Sequence, residues 1–153
     1  MRSVADRSWL QVVALAGLLT CRNPEAVCAI CDRPIHPEMA ATVVLEDGRQ
    51  LNACCPRCAL HHRTLQTTGI RRIEVTDHAG GGRLPLESAF LVDGSDQTPC
   101  LGHTPNVDPS GVALHTCYDR CVPSLIAFKD KSMARAFTTE HGGVLRLPSA
   151  VGP

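Results

Sequence analysis

The sequence predicts an α+β fold made of two small strand–strand–helix units that follow an N-terminal signal segment. Three observations predict it: short apolar segments of strand length lie between Gly- and Pro-containing turns, two segments have helical length, and the cysteines occur in two groups of close pairs. A chain of 153 residues is long enough for one domain or two very small ones. We expect the units at 21–69 and 70–147, after a signal segment at 1–20 and before a tail at 148–153.

The first twenty residues have the pattern of an export signal. Arg2 and Arg7 precede an apolar run from Trp9 to Thr20, which is shorter than the roughly 20 residues of a membrane span. Cys21 follows directly, as the lipidated cysteine does in a bacterial lipoprotein. We therefore expect Cys21 to be lipidated and to attach the protein to the periplasmic face of a bacterial membrane. An uncleaved amphipathic helix or a buried Cys21 remains the alternative.

The first unit is predicted from a hairpin signal and a helix signal. Thr42–Glu46 has the composition of a strand, Asp47-Gly48 is typical of a hairpin turn, and Gln50–Cys54 is the expected returning strand. Pro56 suits the first turn of a helix, since its missing N–H is not needed there. We therefore predict a helix from Pro56 to Gln66.

The second unit is predicted to contain strands and one helix. The strands are expected at Ile70–Thr76, Ala89–Val92, Val112–Thr116, Ser124–Phe128 and Val144–Leu147. The helix is expected from Lys131 to His141, with Asp130 as its N-terminal cap and Gly142 at its end. Its inward face is expected to carry Met133, Ala136 and Phe137.

Composition limits the functional classes. Fifteen Lys and Arg balance fifteen Asp and Glu, so the formal net charge is zero and the chain has no field to attract polyanions. We therefore expect no nucleic-acid partner. Apolar residues make up 44%, which excludes wholesale disorder, and aromatic residues only 3%, so the core should be aliphatic. Nine Cys and seven His are the unusual feature, and they indicate metal binding, cross-linking or redox chemistry.

The cysteines form two constellations with the spacing of metal ligands. The first consists of Cys28, Cys31, Cys54, Cys55 and Cys58, and the second of Cys100, His103, Cys117 and Cys121. A tetrahedral ion needs four donors within about 2.0–2.3 Å of one point. A gap of two or three residues lets a turn or the start of a helix aim two donors at that point. We therefore predict two sites, one of four thiolates and one of three thiolates and an imidazole.

The ion and the state of the thiols stay open. Four thiolates suit structural zinc, whereas two or three soft ligands with a nearby His suit Cu(I). The spare thiol of Cys55 would allow exchange of the ion. A disulfide framework is the alternative, since a lipidated Cys21 would leave an even number of eight cysteines. Arg57 and Arg120 are expected either to steady the thiolates or to lie on the surface.

Signatures of enzymes are missing from the sequence. It contains no nucleophile elbow, no phosphate-binding loop and no zinc-protease helix motif. Cys28-Ala-Ile-Cys31 does not open a helix beside a strand–helix–strand unit, which argues against a thioredoxin-like dithiol. We therefore expect that the protein catalyses no reaction.

One series of segments in the second half resembles a known family. In order, they are Ile73–Asp77, Ala89–Asp96, Leu101–His103, Leu125–Phe128, Ala134–Phe137 and Glu140–Leu145. This order resembles the NosL family, copper-binding lipoproteins that accompany the maturation of nitrous oxide reductase. The close cysteine pairs also resemble the TRASH type of treble-clef metal site.

The resemblance implies an α+β fold of two small units and a periplasmic protein that holds Cu(I) and hands it to a client metalloprotein. In that family a Met-Gly-His run and an N-terminal Cys supply ligands. Leu101 stands at the Met position here, beside Cys100, so a thiolate-rich set with Cys117 and Cys121 is expected instead. We therefore expect a divergent NosL-like carrier of copper(I) or zinc. A structural-zinc interaction module and a disulfide-stapled envelope protein without metal are the alternatives.

Overall fold

The structure, a computed structural model, describes residues 26–65, 69–101, 106–111, 113–114 and 119–151. The strands in this part of the chain are β1 (Ala41–Leu45), β2 (Gln50–Ala53), β3 (Ile70–Thr76), β4 (Arg83–Pro85), β5 (Phe90–Asp93), β6 (Asn106–Val107), β7 (Ala113–Leu114), β8 (Leu125–Phe128) and β9 (Val144–Arg146). The helices are α1 (Pro56–Leu65) and α2 (Lys131–His141). The predicted signal segment with Cys21 lies outside the described residues, as do His103 and Cys117.

The first sheet has four antiparallel strands in the order β2-β1-β3-β4. β1 is a central strand that pairs with β2 on one side and β3 on the other, and all five of its residues are buried. The turn between β1 and β2 has Gly48 at φ +87°, as a tight hairpin requires. Helix α1 starts directly after β2 and contacts both β1 and β8, so it lies between the two sheets.

The second sheet has three antiparallel strands in the order β8-β5-β9, and α2 contacts all three of them. β6 and β7 form a separate two-stranded ribbon. The α+β class with two sheets and two helices is therefore confirmed. No helix within the described ranges is long and apolar enough to cross a membrane.

The predicted elements lie within one or two residues of the observed ones wherever the structure describes them. The helix at 131–141 and the strand at 70–76 have the predicted bounds. The strand predicted at 112–116 is described only at Ala113–Leu114. β4 and β6 were not predicted, because each has only two or three residues and takes its conformation from the strand beside it.

The prediction for the inward face of α2 is wrong at two of three positions. Ala134 and Phe137 are buried, whereas Met133 is 47% exposed and Ala136 is also exposed. Ala134 and Phe137, three residues apart, lie on the face of α2 that packs against the sheet. Met133 lies beside this face and is exposed. At the ends of the helix, Asp130 is the N-cap residue but makes no side-chain cap hydrogen bond, and Gly142 ends α2 at φ +69°.

The two sheets share one core. Its largest fully buried side chain is Phe128, and most of the others are aliphatic, among them Val43 and Val75 of the first sheet and Leu91 and Ile126 of the second. β3 pairs with β1, although the predicted boundary at residue 69 assigns β3 to the second unit. That boundary stays a prediction.

Candidate metal centre

The first pair of cysteines lies in a tight turn. The backbone N–H of Cys28 donates to the carbonyl of Arg33 at 2.8 Å, and that of Asp32 donates to the carbonyl of Cys28 at 2.9 Å. Asp32 has φ +59°, a left-handed conformation that Asp tolerates better than most residues. This turn brings the sulfurs of Cys28 and Cys31 to the same side.

The next three cysteines sit where the hairpin meets the helix. Cys54 and Cys55 follow the last residue of β2, and Cys58 lies in the first turn of α1. Pro56 begins the helix, as predicted, so Cys54 lies just before the helix and Cys58 within its first turn. All three thiols are at most 1% exposed.

The sixth cysteine comes from the second half of the chain. Cys121 lies in a turn before β8, where its N–H donates to Asp119 Oδ1 at 2.8 Å. Two contacts hold this turn against the Cys28–Cys31 turn. Asp119 pairs with both terminal nitrogens of Arg33, and Arg120 Nη1 donates to the carbonyl of Ile30 at 2.6 Å.

The six sulfurs form one cluster. Cys54 Sγ lies 3.5 Å from Cys31, 3.8 Å from Cys55, 3.6 Å from Cys58 and 3.7 Å from Cys121. Cys121 Sγ lies 3.6 Å from Cys58 and 3.9 Å from Cys31. A metal–sulfur bond of about 2.3 Å gives a tetrahedron with edges of about 3.8 Å, so these separations are those of sulfurs around one ion. The seven described cysteines form no disulfide bonds with one another. Sulfur donors of this kind suit a soft metal ion.

The prediction of two separate sites is wrong in its grouping of Cys121. The spacing places Cys121 in a second site with Cys100, His103 and Cys117, but its sulfur lies among those of the first. The reason is the pair of contacts that fasten its turn to the Cys28–Cys31 turn. Cys100 is half-buried and packs against the core to which Cys54, Cys58 and Cys121 belong. His103 and Cys117 lie outside the described residues.

The thiols are unequal in their tendency to ionise. Hydrogen bonds from the thiols of Cys54 and Cys58 hold the pKa of Cys28 well below its ordinary value. Hydrogen bonds from Cys100 and Cys54 likewise lower the pKa of Cys121. Burial raises the pKa of Cys31 to about 11. Protonated thiols thus stabilise neighbouring thiolates by donating hydrogen bonds to them. A bound metal cation would take the place of those protons.

Three arginines surround the cluster, and each has a definite partner. Arg33 Nη1 lies 3.5 Å from Cys121 Sγ and 2.8 Å from Asp119. Arg57 is buried and pairs with Asp93, so the expectation that it lies on the surface is wrong. Arg120 fastens the Cys121 turn. Arg33 and Asp119 were not predicted, because they are 86 residues apart and carry no local pattern that joins them.

One cysteine of the six is accessible. Cys31 is half-buried and lines an open cleft of about 320 Å³. The other lining residues are Ile30, Asp32, Arg33, Asp119 and Arg120. A ligand from another molecule can therefore reach the sulfur of Cys31, whereas the other five of the six are buried.

Comparison with solved structures gives one informative match. The copper chaperone NosL from Shewanella denitrificans superimposes with a TM-score of 0.59 at 16% sequence identity, over 83% of this chain and 90% of that one. The chain therefore has the fold that the sequence resemblance implied. No family model matches the sequence. No curated protein matches it either.

Proposed function

We propose that this protein is a NosL-like metallochaperone of the periplasm that binds a soft metal ion, Cu(I), and hands it on without catalysing a reaction. The observation that carries the proposal is the cluster of six sulfurs, five of them buried, at separations that suit metal–thiolate bonds. The fold is shared with a protein described as a copper chaperone.

Buried thiols favour a soft ion over a hard one. Sulfur ligands select Cu(I) or zinc, whereas magnesium and calcium require oxygen donors. A buried cluster of thiolates without cations would also be costly, since buried anions need compensating charge. We propose Cys28, Cys31, Cys54, Cys55, Cys58 and Cys121 as ligands, and we retain Cys100, His103 and Cys117 as further proposed ligands.

Transfer would proceed by exchange of ligands at the cleft. A Cys, Met or His of the client metalloprotein enters the coordination sphere beside Cys31, and the Cys31 thiolate leaves. The buried sulfurs of Cys54 and Cys58 hold the ion until the new bond has formed. Lipidation of Cys21 would keep the protein at the periplasmic membrane face, where such a client matures.

Competition for Cu(I) tests the proposal. Reduced protein, purified without oxygen, is titrated with Cu(I) held by a chromophoric chelator. We expect the wild type to withdraw Cu(I) from the chelator, and Cys58→Ser to do so at least tenfold less well. Ser110→Ala, a change on an exposed loop outside the cluster, is the control. Folded wild type that takes no Cu(I) from the chelator would refute the proposal.

Structural zinc is the second candidate, because four-thiolate groups suit that ion. In that case purified protein contains stoichiometric zinc, Cu(I) does not displace it, and chelation unfolds the chain. A thiol count on denatured protein separates both metal candidates from the disulfide-stapled alternative. Free thiols support a metal site, whereas their absence supports disulfides.

A further inference from the structure

The cluster contains two four-sulfur groups that have two members in common. One consists of Cys28, Cys31, Cys54 and Cys58, and the other of Cys54, Cys55, Cys58 and Cys121. Within each group all sulfurs lie within 4.8 Å of one another. Two tetrahedra with two common corners share an edge, and here that edge joins Cys54 and Cys58 at 3.6 Å.

Of the two sulfurs that belong to both groups, that of Cys54 has the most neighbours in the cluster. Cys54 Sγ contacts Cys31 of the first group at 3.5 Å, and Cys55 and Cys121 of the second at 3.8 and 3.7 Å. Cys58 Sγ lies 3.6 Å from Cys121. A thiolate sulfur has enough lone pairs to bind two ions, so one placed between two sets of donors suits a bridging role.

A single ion would leave this cluster incomplete. If it were held by the first group, Cys55 and Cys121 would remain in the cluster without a metal bond, at 1% and 5% exposure. If it were held by the second, the same would apply to Cys28. A second cation would engage the remaining donors and compensate the charge of their thiolates, which Arg33, 3.5 Å from Cys121 Sγ, approaches from one side.

We propose that the cluster binds two soft metal ions bridged by the sulfurs of Cys54 and Cys58. Cys28 and Cys31 complete the coordination of one ion, and Cys55 and Cys121 that of the other. This inference rests on the proposed function, since it takes the cluster to be a metal site. It adds the number of ions and distinguishes bridging from terminal sulfurs.

Cadmium is a suitable probe because it accepts four thiolates and has an NMR-active isotope. We expect reduced full-length protein to bind two equivalents of ¹¹³Cd(II) and to show two ¹¹³Cd resonances. The β protons of Cys54 and Cys58 should couple to both resonances, and those of the other four cysteines to one each. A single resonance at saturation, or the absence of any cysteine coupled to both, would overturn the proposal.

Adjacent buried cysteines supply a matched pair of variants. Cys55→Ser removes a terminal sulfur and should retain one of the two ions, because the other group keeps its four donors. Cys54→Ser removes a bridge and should weaken retention of both ions at least tenfold against a chelator. Equal losses in the two variants would contradict the bridging role. If circular dichroism shows that Cys54→Ser does not fold, the couplings in the wild type decide the question.

The two proposals fail in different ways. Protein that withdraws Cu(I) from a chelator but binds one cadmium ion keeps the proposed function and loses the bridged pair. Protein that retains neither Cu(I) nor cadmium loses both.

Discussion

Arg57 shows how a single side chain ties the two halves of the molecule together. Its guanidinium is 6% exposed, pairs with Asp93 of β5 at 2.6 Å, and donates from Nε to the carbonyl of Pro123 at 3.1 Å. It therefore connects α1 to the second sheet and to the turn that carries Cys121. Removing one partner of a buried ion pair strongly destabilises the folded state, because the other charge is left buried without compensation.

Replacing Arg57 should be costly even though Met is of similar length. Arg57→Met leaves Asp93 and the Pro123 carbonyl without their donor, so we expect a loss of about 3 kcal/mol in the free energy of unfolding. Arg49→Met is the control, because Arg49 is exposed and pairs with exposed Asp47, and its loss should stay below about 1 kcal/mol. Urea denaturation of the metal-free, reduced proteins measures both, and equal losses would contradict the argument.

His62 is buried in α1, and its Nε2 has no hydrogen-bond partner among the described residues. Burial lowers the pKa of His62 below its ordinary value of 6.5. The unfolded chain therefore binds a proton at a higher pH than the folded one, and folding stability falls as the pH drops below about 6.5.

Removing this imidazole should remove part of the acid sensitivity. We expect the stability of His62→Leu relative to wild type to rise as the pH is lowered from 7 to 5, because the variant has no ring to protonate. The measurement is the urea midpoint of metal-free, reduced protein at each pH. A constant difference between the two proteins over this range would show that His62 does not cause the slope.

At the scale of the elements, the end of α2 is a tightly packed junction. Gly142 has φ +69°, and a Cβ there would lie 2.3 Å from the carbonyl oxygen of Gly111. The next residue, Gly143, donates its N–H to that same oxygen at 2.7 Å. The helix end and the loop after β6 therefore approach too closely for any side chain at residue 142.

Alanine at residue 142 should lower the free energy of unfolding by more than the cost of placing a side chain in the left-handed conformation. Gly142→Ala adds a backbone clash to the conformational cost of about 1–2 kcal/mol, so we expect a larger loss than that in unfolding free energy. Gly48→Ala is the control, since Gly48 also has a positive φ, +87°, but nothing within 4 Å of an added Cβ. Thermal denaturation of both variants measures the difference, and similar losses would show that the contact with Gly111 does not matter.

Local signals were enough to predict most elements, and contacts between elements were not. Pro56 marks the start of α1 and Gly142 the end of α2, because each acts through its own backbone geometry. The exposure of Met133 could not be predicted, since the rotation of a helix depends on the sheet that it meets. The same limit applies to β4, whose three residues are ordered by pairing with β3.

At the scale of the whole molecule, the candidate site is a property of the assembled fold. Five of its cysteines were grouped correctly from spacing, since Cys28–Cys31 and Cys54–Cys58 are each close in sequence. The place of Cys121 depends on Arg33, Asp119 and Arg120, whose contacts span 86 to 90 residues. No periodicity in the sequence encodes such a contact.

The site therefore joins the two halves of the chain. Loss of metal should destabilise the segments that carry the cysteines more than it destabilises the two sheets. Residues 28–33 and 119–123 contain no helix or strand, and they are held together by side-chain contacts and by the cluster. At a metal concentration 100 times its Kd, binding stabilises the folded state by about 2.7 kcal/mol, and we expect that stabilisation to be concentrated in these two segments.

Hydrogen exchange with and without chelator measures this stabilisation. Backbone amides of 28–33 and 119–123 should exchange at least tenfold faster in the metal-free protein, whereas those of β1 and β3 should change little. An increase spread evenly over both sheets would mean that the metal supports the whole fold, as structural zinc does. No increase in either segment would mean that the cluster does not join the two halves.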